Sequence, residues 1–182
     1  HQFIYTSLKA EYPEMKVFTS VVGAHLLNGF IDGNDHVTQR LAVLQLLDYS
    51  DCYAISFYPY MSNHLGNPYP ENTFEELFNI SQKPLVIAET GYVAQTFSMD
   101  VGSTSVTIES DQSKQQQYFS DLLEACNKRK AEFVINFVLR DYDQLWMQIG
   151  SPTDINIAWR DSGLYDENGD TRLAYNTWKD YF

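Results

Sequence analysis

One decapeptide, Lys83-Pro84-Leu85-Val86-Ile87-Ala88-Glu89-Thr90-Gly91-Tyr92, constrains this chain more than any other stretch. A short apolar run set between Pro and Gly has the character of a strand buried on both faces, the kind found in parallel sheets. Strand alternation predicts Leu85, Ile87 and Glu89 on one face, with Val86 and Ala88 on the other. A carboxylate that ends such a run loses hydration on folding. It must then be paired or hydrogen-bonded, and its pKa becomes tunable. The C-terminal ends of parallel strands are also where α/β sheets and barrels gather their chemistry. A strand-end Glu bridged to a neighbour accounts for the position as well as a catalytic one does.

Three other segments look like strands. Residues 16–22 are apolar and β-branched and stop at Gly23; residues 52–58 are broken by Pro59; residues 132–139 follow a basic Lys128-Arg129-Lys130. Helical spacing fills the intervals. Phe3, Ile4, Leu8 and Tyr12 form a partial stripe that ends at Pro13. Val37, Leu41, Leu44 and Leu47 form a second, with Asn34 or Asp35 available as N-cap. Thr73 with Glu76, and Ser113 with Gln116, have the capping-box pattern ahead of the stripes Phe74-Leu77-Phe78 and Tyr118-Phe119-Leu122-Leu123-Cys126. Residues 92–111 are a long Ser/Thr-rich connection and residues 140–162 are irregular. Residues 166–170 are a turn, and a last helix packs Leu173, Trp178 and Tyr175. Strands alternating with helices predict a parallel sheet with right-handed crossovers. The four βα units are half of an eight-unit barrel, which needs roughly 200 residues or more.

The formal charge of −12 makes nucleic acid and anionic membrane improbable partners, since phosphate binding wants Lys and Arg. It suits a neutral or cationic ligand, and 13 Tyr and 3 Trp supply surfaces on which flat amphipathic ligands stack. Cys52 and Cys126 adjoin apolar segments and are expected as buried free thiols, with a disulfide possible but not indicated. Neither they nor His25 and His64 stand in metal-ligand spacing, so no metal and no cofactor is expected. No run approaches a membrane span. Residues 2–11 resemble the end of a helix more than a fresh start, which suggests a fragment or processed chain.

The segments SFYPY (56–60), PLVIAETGY (84–92) and GLYDENG (163–169) together resemble landmarks of the clan A (β/α)8 glycoside hydrolases, most closely the endo-β-1,4-galactanase family. The resemblance covers nearly the whole chain as strands five to eight. It implies that residues 1–182 are the C-terminal half of a TIM barrel whose N-terminal half is missing. Glu89 would be the nucleophile of a retaining glycosidase acting on β-linked carbohydrate. Tyr58 and Tyr60 would lie beside the sugar, with Tyr58 as hydrogen-bond donor to the nucleophile. Tyr92, Asp141, Trp146 and His25 would complete the substrate-binding set. The family's acid/base is a Glu following an Asn on strand four, and no Asn-Glu pair of that kind occurs here. Retention needs two carboxyls about 5–5.5 Å apart, so the second would come from outside these residues. By the same resemblance the protein acts outside the cytoplasm, extracellular or periplasmic.

Plainer readings stand beside these. Tyr53, Phe57, Phe133 and Phe137 suit a core, and Trp178 lies on a helical stripe. Trp146 and Trp159 suit packing or stacking equally. A non-catalytic carbohydrate-binding relative, or a free-standing doubly wound α/β domain with a small ligand, would also fit the pattern. A half-barrel leaves an open face, which predicts a homodimer or closure by a missing N-terminal half.

Overall fold

The computed structural model describes residues 1–181. In chain order the elements are α1 (Gln2–Glu11), β1 (Ser20–Val22), α2 (His36–Leu46), β2 (Tyr53–Phe57), α3 (Thr73–Phe78), β3 (Leu85–Thr90), β4 (Phe97–Val101), β5 (Thr104–Ile108), α4 (Gln112–Arg129), β6 (Phe133–Asn136), α5 (Asp143–Gln148) and α6 (Leu173–Asp180). They divide into two compact units. The first holds residues 1–57, 70–90 and 125–135; the second holds 58–69, 91–124 and the chain from 136 onward.

The first unit is built on a four-stranded sheet of order β1-β2-β3-β6, in which β1–β2 and β2–β3 are parallel. Strand order follows chain order, so the sheet lacks the reversal at which doubly wound folds place their ligands. One face carries Tyr53, Ile55, Leu85 and Ile87, all fully buried. Tyr53 donates its hydroxyl hydrogen to Leu77 O of α3 at 3.1 Å, and Phe57 meets Phe74 edge-on at 5.9 Å. The opposite face gathers Cys52, Ala54 and Val86, with Phe18 and Ala88 against them.

Several sequence expectations shift here. Asp35 caps α2 as anticipated, accepting the N–H groups of Val37 and Thr38. The stripe Val37-Leu41-Leu44, however, is 55, 58 and 43% exposed. The helix instead turns inward through Val43 and, just beyond its end, Leu47, and it fastens Arg40 Nε to Leu26 O at 2.6 Å. Thr73 lies inside α3 and gives its hydroxyl hydrogen to Pro70 O, so the expected capping box does not form. Phe133 and Phe137 suit a core by pattern, yet they are 40% and 38% exposed. Ile135 on β6 is likewise open. Cys52 and Cys126 are buried free thiols.

In the second unit, the supposed loop after Tyr92 is largely a hairpin. β4 and β5 pair antiparallel from Phe97↔Ile108 to Val101↔Thr104 around the two-residue connection Gly102-Ser103. Gly102 has φ +62°, which fits a type II′ turn with Gly first. The signal was present: Phe97, Met99, Val106 and Ile108 alternate with hydroxyl and acidic residues on either side of Gly-Ser. Asp111, two residues before Ser113, caps α4 by accepting the N–H groups of Ser113 and Lys114. In α6, Ala174 is buried and Trp178 packs edge-on against Phe119 at 5.4 Å, while Leu173, expected inside, is 45% exposed. Among the described residues no helix is long and apolar enough to cross a membrane.

Candidate functional site

Glu89 owes its direction to an irregularity. Ile55 of β2 is in register with Ile87, but the next residue, Ser56, pairs with Glu89, so Ala88 is an extra residue in β3. A bulge of this kind reverses the side chain that follows it. Simple alternation puts Glu89 with Leu85 and Ile87. The register instead puts it in the row Val22–Ser56–Glu89, on the same face as Ser20, Ala54 and Val86. Ser20 Oγ and Ser56 Oγ are 2.8 Å apart, which confirms that this face is shared. Glu89 is partly buried at the C-terminal end of its strand, and Thr90 is pinned behind it by donating to Phe57 O at 2.8 Å. His25 lies in the 3-10 turn Gly23–Leu26 that follows β1, with its side chain exposed. The first unit therefore offers a strand-end carboxylate in a row with a serine hydroxyl, on a face of small side chains.

The second unit gathers the aromatic candidates into a continuous series. Trp159 meets Tyr58 at 6.1 Å, Tyr58 meets Tyr60 at 6.0 Å, Tyr60 meets Tyr92 at 5.3 Å and Tyr92 meets Tyr118 at 5.1 Å. Gly91 makes room for this, since a Cβ there would stand 3.1 Å from Tyr58 Cε1 and 2.7 Å from Phe137 O. Tyr60 and Tyr92 are 1% and 4% exposed. The Tyr60 hydroxyl is committed to Ala158 O at 2.8 Å, and burial pushes the Tyr92 hydroxyl up to about 12. Both act as packing behind Tyr58 and Trp159, which keep part of their rings open. Trp146, expected beside the sugar, is 4% exposed and serves the core; of the two tryptophans in the irregular stretch, Trp159 is the one with ring surface to offer.

Asp141 also changes role. Its Oδ2 is bonded to Arg172, whose side chain is 2% exposed, and its Oδ1 accepts the Gly163 N–H at 2.7 Å. With both oxygens engaged in the interior, Asp141 is a structural anchor and has no free oxygen to offer a substrate. Burial drives its carboxyl up to about 7, against the pull of Arg172 and the Gly163 N–H, and Asp161 and Asp143 add to the rise. Asp141, Asp143 and Asp161 present oxygens within 4.8 Å of one another, the one group of three possible metal ligands among the described residues. Two guanidiniums already occupy it. Arg160 donates from Nε and Nη2 to Asp161 Oδ2 at 3.0 and 2.6 Å and lies 3.7 Å from Asp143 Oδ1. Fixed positive charge on both sides fits a cation poorly. The cluster joins Asp141 and Asp143, just before and at the start of α5, to Asp161, just beyond the 3-10 turn Ile155–Trp159, a separation that sequence spacing does not reveal.

The fold resembles solved glycoside hydrolases. A GH2 β-galacturonidase from Eisenbergiella tayi superposes with a TM-score of 0.58 at 18% identity over 97% of this chain and 28% of that one. A β-D-glucuronidase from Dictyoglomus thermophilum gives 0.54 at 12% identity over 98% of this chain and 27% of that one. A β-1,3-glucanosyltransferase from Rhizomucor miehei, in complex with laminaritriose, gives 0.53 at 14% identity over 95% of this chain and 56% of that one. The fold is glycoside-hydrolase-like. At these identities the likeness is one of fold, it does not reach the galactanases in particular, and this chain spans little more than a quarter of the first two enzymes. No protein-family model and no curated protein matches the sequence.

Proposed function

We propose that this chain is part of a retaining glycoside hydrolase that cleaves β-linked polysaccharide or oligosaccharide, with Glu89 as nucleophile. The observation that carries the reading is the Ala88 bulge, which turns Glu89 onto the small-residue face beside Ser56. Four strands in consecutive order are what one wall of a (β/α)8 barrel requires, and its remaining strands would come from further chain or from a second copy. The galactanase-like motifs favour a neutral β-linked sugar as substrate, and the acidic composition agrees with that. Such an enzyme works outside the cytoplasm, where its polymer is.

In the proposed reaction the Glu89 carboxylate attacks the anomeric carbon as the bond to the leaving oxygen breaks. Water then releases the sugar from the glycosyl ester. Protonating the leaving oxygen falls to a second carboxyl about 5–5.5 Å away, which lies outside residues 1–182 on this reading.

A leaving group that needs no proton isolates the role of Glu89. The protein is incubated with 2-deoxy-2-fluoro glycosyl fluorides of galactose, glucose and mannose, and the adduct is mapped by peptide mass spectrometry. A glycosyl group on Glu89, absent in Glu89→Gln, is the expected result. Wild type left unlabelled by all three sugars, or labelled at another residue, would remove Glu89 from the mechanism. Hydrolysis of β-linked galactan, mannan and glucan by the longer protein should fall by about 10⁴-fold or more in the same variant.

A further inference from the structure

In the second unit the backbone is fastened on both sides of Trp159. Asp154 caps the 3-10 turn by accepting the Asn156 N–H at 2.9 Å. Ala158, fully buried, gives its carbonyl to the Tyr60 hydroxyl at 2.8 Å. The Trp159 carbonyl accepts from Ser162 Oγ at 2.7 Å, and the Asp161 carbonyl accepts the Ala94 N–H at 2.9 Å. Trp159 itself keeps part of its surface in water. Its indole N–H makes no hydrogen bond within the described chain and is not one of the buried polar atoms left without a partner, so it meets solvent. A tryptophan serving only as packing hides its ring and pairs its N–H. Trp159 does neither, and its fixed backbone means that little order has to be gained when something binds it.

The Trp159 and Tyr58 rings stand 6.1 Å apart at 88°, and Tyr58 is backed by Tyr60 at 6.0 Å and by the bare Gly91. Two held rings at right angles make a corner. The C–H groups on one side of a pyranose carry a small positive charge and suit the negative face of an indole, while the rim N–H can donate to a sugar hydroxyl. We propose that Trp159 and Tyr58 form a sugar-binding corner of the second unit. In it a neutral pyranose lies on the Trp159 ring, has Tyr58 as a side wall and accepts a hydrogen bond from the indole N–H. The preference for a neutral sugar comes from the charges alongside. Arg160, next in the chain, is held by Asp161 Oδ2 through two donors and lies 3.7 Å from Asp143 Oδ1, so its charge is already balanced. The carboxylate of a hexuronate would find no open cation there and would meet the acidic group Asp141, Asp143 and Asp161. The corner rests on the carbohydrate reading of the chain, but it does not require Glu89 to be the nucleophile.

Nitrogen-edited NMR of Glu89→Gln, which cannot turn the ligand over by the proposed route, tests it. The indole N–H signal of Trp159, identified by its loss in Trp159→Phe, should move when β-linked galacto-, gluco- or manno-oligosaccharide is added. The signals of Trp146 and Trp178 should stay in place. Trp159→Ala should weaken binding by about tenfold, and Trp159→Phe, which keeps a ring face, by less. Methyl β-galacturonoside should bind more weakly than methyl β-galactoside. Circular dichroism checks that Trp159→Ala is folded; if it is not, the movement of the Trp159 signal decides alone. A Trp159 signal that ignores all three neutral sugars, or that responds more strongly to the uronoside, would overturn the proposal. The test is separable from labelling of Glu89. Sugar binding at Trp159 with no adduct on Glu89 would support the corner and remove the nucleophile, whereas an adduct with a still Trp159 signal would do the reverse.

Discussion

Ser56 and Glu89 are register partners on neighbouring parallel strands, and they share a face only because Ala88 intervenes as an extra residue. Without the bulge, Glu89 would follow Ile87 onto the face where Tyr53, Ile55 and Leu85 are wholly buried. A carboxylate delivered there would lack both water and a cation.

Deletion of Ala88 should therefore destabilise the protein by about 3–5 kcal/mol, the range seen when a buried charge is left uncompensated. Ala88→Gly keeps the residue count and should cost about 1 kcal/mol or less. Urea denaturation of the two variants separates these outcomes. Equal, small losses in both would mean that the bulge does not direct Glu89.

The burial of Asp141 against Arg172 supplies a second prediction. Arg172→Met strands an acidic group whose side chain is 0% exposed, and should cost about 3–5 kcal/mol. Adding Asp141→Leu should recover much of that loss, because the pair leaves together. The pH dependence has a definite sign. The folded carboxyl titrates at about 7 and its reference value is 3.8, so the folded state holds the proton more tightly. This group's contribution is therefore favourable at low pH and declines as pH rises through the window from about 4 to about 7. Thermal melts of wild type and of the double variant across that window should diverge, with the wild type falling more steeply. Parallel curves would remove Asp141 as the source.

These two cases also show what was legible in the sequence. β2, β3, α2 and α4 could be placed from period and flanking residues because each is a local pattern. Glu89 stood out because a charge at the end of an apolar run is chemically conspicuous. Its facing departs from simple alternation, because alternation assumes an unbroken strand and a bulge leaves no mark in the residue types. Asp141 and Trp146 are assigned to the substrate by the family resemblance alone, not by any local pattern of their own. Their burial depends on Arg172, Gly163 and the packing around α5, contacts separated by up to 31 residues that no local window contains. The hairpin at Gly102-Ser103 has a readable alternation, which its hydroxyl-rich composition masks as a loop.

The apolar side chains left open on the first unit carry the last prediction. Val37, Leu41 and Leu44 form a helical stripe at 43–58% exposure, and Val22, Phe133 and Ile135 are similarly open on the sheet. Covering each would contribute about 1 kcal/mol, since full burial of such a side chain is worth about 1.5–3 kcal/mol and these are near half-exposed. Three such groups on either surface favour association against a net charge of −12 once salt screens the repulsion. Residues 1–182 on their own should therefore run as a dimer or larger species in light scattering at moderate salt, and dissociate as salt is removed. Leu41→Glu and Ile135→Glu, made separately, tell which surface is used: the variant that yields monomer without loss of folded stability marks the contact. A wild-type monomer at all salt concentrations would mean that these side chains are tolerated in water as they stand, and would withdraw the second copy as a source of the remaining barrel strands.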